Sequence, residues 1–236
     1  MTESGEGQAE DGQRAPARPL PWLQLTLFRG AGFRALSVSS SFDWLGAVAE
    51  QVALGWLTLE LTDSPLMVGL ALGLRLAPFL VVGIPAGVLA DLVDRKTLLK
   101  ASGAAMAGTT ALLGALVLAD AVRLWQVLGL TFLGGCARAV QGTARQGYAR
   151  DLIGTGDLVG GLSLLGLAMR LGGLAGSLAA GGVTARLGVG AGYLLAAAGY
   201  LASVAALLPA RAGVRRSTAV GGSLGRGLLD AFAALR

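Results

Sequence analysis

Residues 66–96 read LMVGLALGLRLAPFLVVGIPAGVLADLVDRK. From Leu66 to Ala90 the only charge is Arg75, and the run then breaks on Asp91, Asp94, Arg95 and Lys96. A helix needs about 20 mainly apolar residues to cross about 30 Å of hydrocarbon, and this stretch supplies them. The pattern recurs along the chain, and the spans fall at about 35–61, 66–90, 98–119, 123–147, 158–183 and 187–208. The fold class expected is an all-α membrane protein with six transmembrane helices. The turns between them are short, so consecutive helices are expected as antiparallel neighbours.

Composition points the same way. Of 236 residues 54% are hydrophobic and 14% charged, and the mean hydropathy is +0.66; a soluble domain carries about a quarter charged residues. The 38 glycines accompany only seven prolines and no Gly-X-Y period, which disfavours collagen and low-complexity disorder. Small residues suit membrane helices because they allow close backbone approach. The single cysteine, Cys136, rules out an internal disulfide, a cysteine zinc cluster and a CxxC redox site. Histidine is absent, so a proton relay must use carboxylates. No cofactor or metal is expected.

The net charge of +5 does not mark a nucleic-acid binder, because the basic residues sit between the apolar runs. Of the 19 Lys and Arg, 14 lie in the N-terminal segment (Arg14, Arg18, Arg29, Arg34), the 2–3 loop (Arg95, Lys96, Lys100), the end of helix 4 (Arg145, Arg150) and the C-terminal segment. The opposite side has Arg123 and Arg186 alone, and Arg75, Arg138 and Arg170 fall inside spans. The positive-inside rule puts both termini in the cytoplasm of a cell membrane. Residues 1–30 read as a disordered tail without a signal-peptide h-region, 31–209 as the bundle, and 210–236 as a basic linker with a short amphipathic helix at 223–236. The Ala-, Gly- and Arg-rich composition suits a GC-rich bacterium.

The segment 83–96 resembles the signature loop of the major facilitator superfamily, Gly-x-Leu-Ala-Asp-Arg-x-Gly-Arg-Lys. Gly87, Leu89, Ala90, Asp91, Arg95 and Lys96 match, while Leu92 stands where Arg is usual and Asp94 where Gly is. In helix 4, Arg138, Gln141 and Gly142 match a second motif of the superfamily, Arg-x-x-Gln-Gly, which is linked to proton coupling. Residues 144–146 with Arg150-Asp151-Leu152, Ser41-Phe-Asp-Trp44, and Leu61-Thr-Asp-Ser-Pro65 followed by Gly69 look like the drug- and siderophore-exporting branch. Gly172-Gly173 and Gly176 match the antiporter motif weakly, since Leu174 and Ser177 replace a proline and a glycine; helix packing explains these glycines as well. The resemblance covers about residues 33–236 and implies the N-terminal six-helix half of a twelve-helix fold.

Physical reasoning runs beside it. Gly83 and Gly87 lie one turn apart, where another helix can pack closely. Asp91, with Asp94, Arg95 and Lys96, sits at the cytoplasmic mouth. There the group is either a gate that breaks and reforms, the reading favoured for Asp91, or a set of interfacial charges fixing topology. Arginine inside a span costs at least about 2.5 kcal/mol unless it faces a cavity or partner. Asp43 and Glu50 are seven apart and share a face of helix 1. Depth counted from the cytoplasmic ends pairs Asp43 with Arg138 and Glu50 with Arg75. Arg170 and Gln141 complete the expected cavity set; Arg145, Arg150 and Asp151 mark the cytoplasmic end of helix 4. The pairs are either proton-exchanging or static salt bridges.

The leading expectation is a secondary exporter of small amphipathic molecules, exchanging protons and working with a second six-helix half: a missing C-terminal half, a second copy or a partner. The alternative is a non-transporting membrane subunit or permease component. No Walker loop occurs, and no nucleophile–base set or metal cluster suggests an enzyme.

Overall fold

The computed structural model describes residues 30–153 and 158–208. The tail expected before residue 30 and the linker and amphipathic helix expected after 209 lie outside the described residues. Six helices follow one another: α1 (Ala31–Thr62), α2 (Pro65–Leu92), α3 (Arg95–Leu118), α4 (Leu124–Ile153), α5 (Leu158–Leu187) and α6 (Val189–Ala206). Each coincides with an expected span, and α4 runs six residues past its expected end. The breaks between them have local causes. Asp63 closes α1 in the left-handed region (φ 48°), a conformation short polar residues tolerate, and its N–H bonds the Leu59 carbonyl. Pro65 then opens α2, where a missing N–H costs nothing. Gly188 (φ 84°) turns the chain between α5 and α6.

Four helical stretches among the described residues are long and apolar enough to cross a membrane: Pro65–Gly83 of α2, and α3, α5 and α6. The two helices that fall short, α1 and α4, are those carrying Asp43 and Glu50, and Arg138 and Arg145. The bundle's outside is correspondingly oily: Leu80, Leu178 and Val159 are each at least three-quarters exposed. A soluble protein rarely shows so continuous an apolar surface.

Packing departs from the expected chain-order adjacency. The most extensive interfaces join α1 to α5 and α6, α3 to α6 and α4, and α2 to α4, whereas α2 barely touches α3 and α4 barely touches α5. A short turn holds two helix ends together but leaves their bodies free to diverge towards better partners. Small residues decide which partners those are. The Gly172 and Gly176 backbones lie against the α1 backbone at Ser41 and Leu45, and Gly199 of α6 lies against Gly46 of α1. Ser41 Oγ donates to the Ala168 carbonyl (2.9 Å), and Ser39 and Ser203 share a hydroxyl bond (2.9 Å), tying α1 to α5 and α6. One apolar cluster, around Leu36, Leu98, Leu99 and Tyr148, fills the end where α2 meets α3. Another, around Leu54, Leu57, Leu113 and Tyr193, fills the opposite end. Between them lies a polar layer.

Candidate functional site

Glu50 is the centre of that layer. Its Oε2 accepts from Arg75 Nη2 on α2 (3.1 Å), Arg138 Nη2 on α4 (3.1 Å) and the Tyr200 hydroxyl on α6 (2.5 Å). Arg138 also hydrogen-bonds the Tyr200 hydroxyl, and its guanidinium stands 5.5 Å from the centre of that ring. Arg75 Nη2 donates further to the Ala47 carbonyl (2.9 Å), and Nη1 reaches Gln51 Oε1 (3.5 Å). Four helices thus meet at one carboxylate. Such groups are costly in an apolar bundle, and partners held this closely are what makes them tolerable.

A second pair lies nearer the α2–α3 end: Arg145 Nη2 donates to Asp43 Oδ2 (2.6 Å), while buried Asp43 Oδ1 has no hydrogen-bond partner. Here the structure corrects the sequence reading. Glu50 does meet Arg75, but Asp43 meets Arg145 rather than Arg138, and Arg138 joins Glu50. The cause is the extra length of α4, which moves Arg145 from the helix end into the bundle. Counted instead from Thr62 and Leu124, Glu50 and Arg138 lie within two residues of one depth, and so do Asp43 and Arg145. Gln141 is buried, its amide facing Gly103 of α3.

At the α2–α3 end, Asp94 caps α3, accepting from Thr97 N and Oγ1 (2.9 Å each). Its departure from the superfamily glycine therefore has a structural use. Arg95 Nη1 donates to the Gly147 carbonyl (3.1 Å) and both Asp151 oxygens (2.8 and 2.7 Å), fastening the start of α3 to the end of α4. Lys96 is buried beside it and Arg150 is exposed. Asp91 lies in the last turn of α2, and its side chain is outside the described residues.

Other expected residues lie apart from the node. Arg170 is exposed at mid-helix in α5, with no ion pair among the described residues. Gly83 and Gly87 face open space, so no described helix of this chain packs there. Gly172 and Gly176 are packing glycines, while Gly173 has only ordinary contacts with Val48 and Trp44. No group of three His, Cys, Asp or Glu side chains that could hold a metal ion occurs among the described residues.

Tyr200 is the residue that sequence reasoning missed. The available signal was two tyrosines seven apart, Tyr193 and Tyr200, in an otherwise Ala- and Gly-rich helix; both are fully buried. Gln51 was missed as well, since nothing in its neighbourhood marks it.

Compared with known proteins, the chain matches a family model described as transmembrane secretion effector over residues 24–236. No curated protein and no solved structure matches it.

Proposed function

Because the chain belongs to the transmembrane secretion effector family of the major facilitator superfamily, and is thereby a multi-pass membrane transporter, we propose that it is a proton-coupled exporter of small amphipathic molecules. In this reading all six helices cross the cell membrane, both termini are cytoplasmic, and the bundle is the N-terminal half of the superfamily fold. The skew of Arg and Lys towards one side supports the orientation. The motifs at 83–96 and 138–142 support the half.

The observation that carries the reading is the buried polar layer, whose acids lie on α1, whose arginines lie on α2 and α4, and whose tyrosine lies on α6. A bundle needed only as an anchor gains nothing from Glu50, Arg75, Arg138 and Tyr200 at its centre, since an apolar replacement packs at no lower stability. Asp43 is the better proton carrier of the two acids. It has one donor and an unpartnered oxygen that can accept a proton without breaking a bond, whereas Glu50 holds three donors on one atom. Proton binding at Asp43 would loosen Arg145 and with it the lower part of α4. Arg95–Asp151 joins the neighbouring ends of α3 and α4, and in this reading it and Asp91 form the cytoplasmic gate. A second six-helix half covers the open glycine face of α2 and the exposed Arg170 on α5, and substrate binds between the halves.

The test is transport by the full-length protein in liposomes under an imposed pH gradient. Asp43→Asn should abolish gradient-driven movement while leaving downhill exchange. Gradient-driven transport that survives both Asp43→Asn and Glu50→Gln ends the coupling proposal. A protein that moves no solute under any gradient favours the non-transporting subunit.

A further inference from the structure

We infer that the substrate is an organic anion, whose acidic group is taken by Arg75 and whose apolar body lies in an open groove between α1 and α2. The inference rests on the transport reading above and names its substrate class.

Charge comes first. In the polar layer two carboxylates, Asp43 and Glu50, face three guanidiniums, Arg75, Arg138 and Arg145, all of them on inward faces. One positive charge is left uncompensated among the described residues, and a buried charge without a counter-charge is costly. Arg75 shows where the missing anion belongs. The residue is only 8% exposed, and its Nε has no hydrogen-bond partner although Nη1 and Nη2 are both engaged. A guanidinium presents a planar fork that an added carboxylate, sulfonate or phosphate group fits.

The groove comes second. It has a volume of about 500 Å³ and runs beside α1 from Val48 past Gln51 and Trp56 to Leu59, with Leu72 of α2 opposite. That is within the size range of sites that take drug-sized molecules. Its walls are apolar apart from Gln51, and Gln51 is the residue that Arg75 Nη1 reaches. The groove is therefore apolar apart from one polar point, Gln51, and behind it stands Arg75, which shares the single carboxylate of Glu50 with Arg138. A neutral amphipath fills the walls but leaves the excess positive charge uncompensated; a cation adds to the excess. An anion meets both.

The experiment uses purified full-length protein in a neutral detergent and a matched fluorescent pair, 11-(dansylamino)undecanoate and its uncharged methyl ester. The acid should bind about tenfold or more tightly than the ester, as a charge-assisted bond to a buried group implies. Arg75→Gln should erase that preference and Arg75→Lys retain most of it. Since Arg75 also holds Glu50, a second variant avoids the ion-paired set. Leu72→Asp on the groove wall should weaken both probes through lost apolar contact, but the acid about tenfold more than the ester, because only the acid meets a like charge. Equal binding of acid and ester to the unaltered protein overturns the inference, as does tighter binding of the ester. Displacement of the acid by phosphatidylglycerol but not by decanoate also overturns it, assigning the groove to a lipid. Acid-selective binding without movement of any probe across liposomes leaves the charge preference standing and removes the transport reading instead.

Discussion

Replacing Glu50 with Gln keeps the side chain's size and an acceptor oxygen but removes the charge that two arginines share. Both charged bonds at Glu50 Oε2 are 3.1 Å long and poorly exposed, with side-chain exposures of 8% for Glu50, 10% for Arg75 and 18% for Arg138. Solvent screening is therefore slight. A hydrogen bond to a charged group contributes about 1.5–3 kcal/mol, so losing the charged character of two puts the cost near 3 kcal/mol. That agrees with the roughly 3–5 kcal/mol found when one partner of a buried pair is removed. Much of this is the penalty of stranding the arginines. The double variant Glu50→Gln with Arg138→Gln should therefore recover about 1.5 kcal/mol relative to the sum of the single changes. The assay is equilibrium unfolding of the full-length protein in dodecylmaltoside micelles titrated with SDS, for all three variants. A Glu50→Gln cost below about 1 kcal/mol refutes the reasoning, as that is the scale of an ordinary hydrogen bond between membrane helices. Strict additivity of the two changes refutes it as well.

Tyr200→Phe keeps the buried ring and deletes the hydroxyl shared by Glu50 and Arg138, so it should cost about 1–2 kcal/mol in the same titration. Asp151→Asn at the half-exposed Arg95 pair should cost under about 1 kcal/mol while altering transport, separating a gate from a structural strut. Gly172→Ala drives a methyl into the Ser41 carbonyl and should cost about 1–3 kcal/mol, whereas Gly173→Ala, one residue on, has ordinary room and should be neutral or slightly stabilising; thermal melting of both reads the contrast. Asp94→Ala removes the cap of α3 for about 1 kcal/mol, but Asp94→Gly should cost only a few tenths, an order that melting temperatures check.

The helices were legible because each depends on its own residues. A run such as Leu66–Ala90 must bury its backbone polar groups wherever its apolar side chains go, and a helix does so within the run. The ends were legible where a local device stands, as at Asp63 and Pro65. They were less so at α4, whose polar last turns carry no stop signal. The ionisable residues of the layer also stood out, since charge inside an apolar run needs a partner.

What the chain order left open was which partner each charge has. That depends on the rotation of each helix and on which bodies pack together, set by contacts such as Gly172 on Ser41 and Gly199 on Gly46, far apart in sequence. Those contacts bring Tyr200 to Glu50 across 150 residues and seat Arg145 on Asp43. By itself the sequence determined six helices and a set of charges needing burial with partners. Only the tertiary structure decided that Arg75 and Arg138 close on Glu50, that Arg145 closes on Asp43 and that a positive charge is left over, because a charge balance inside a bundle is a property of helices brought face to face.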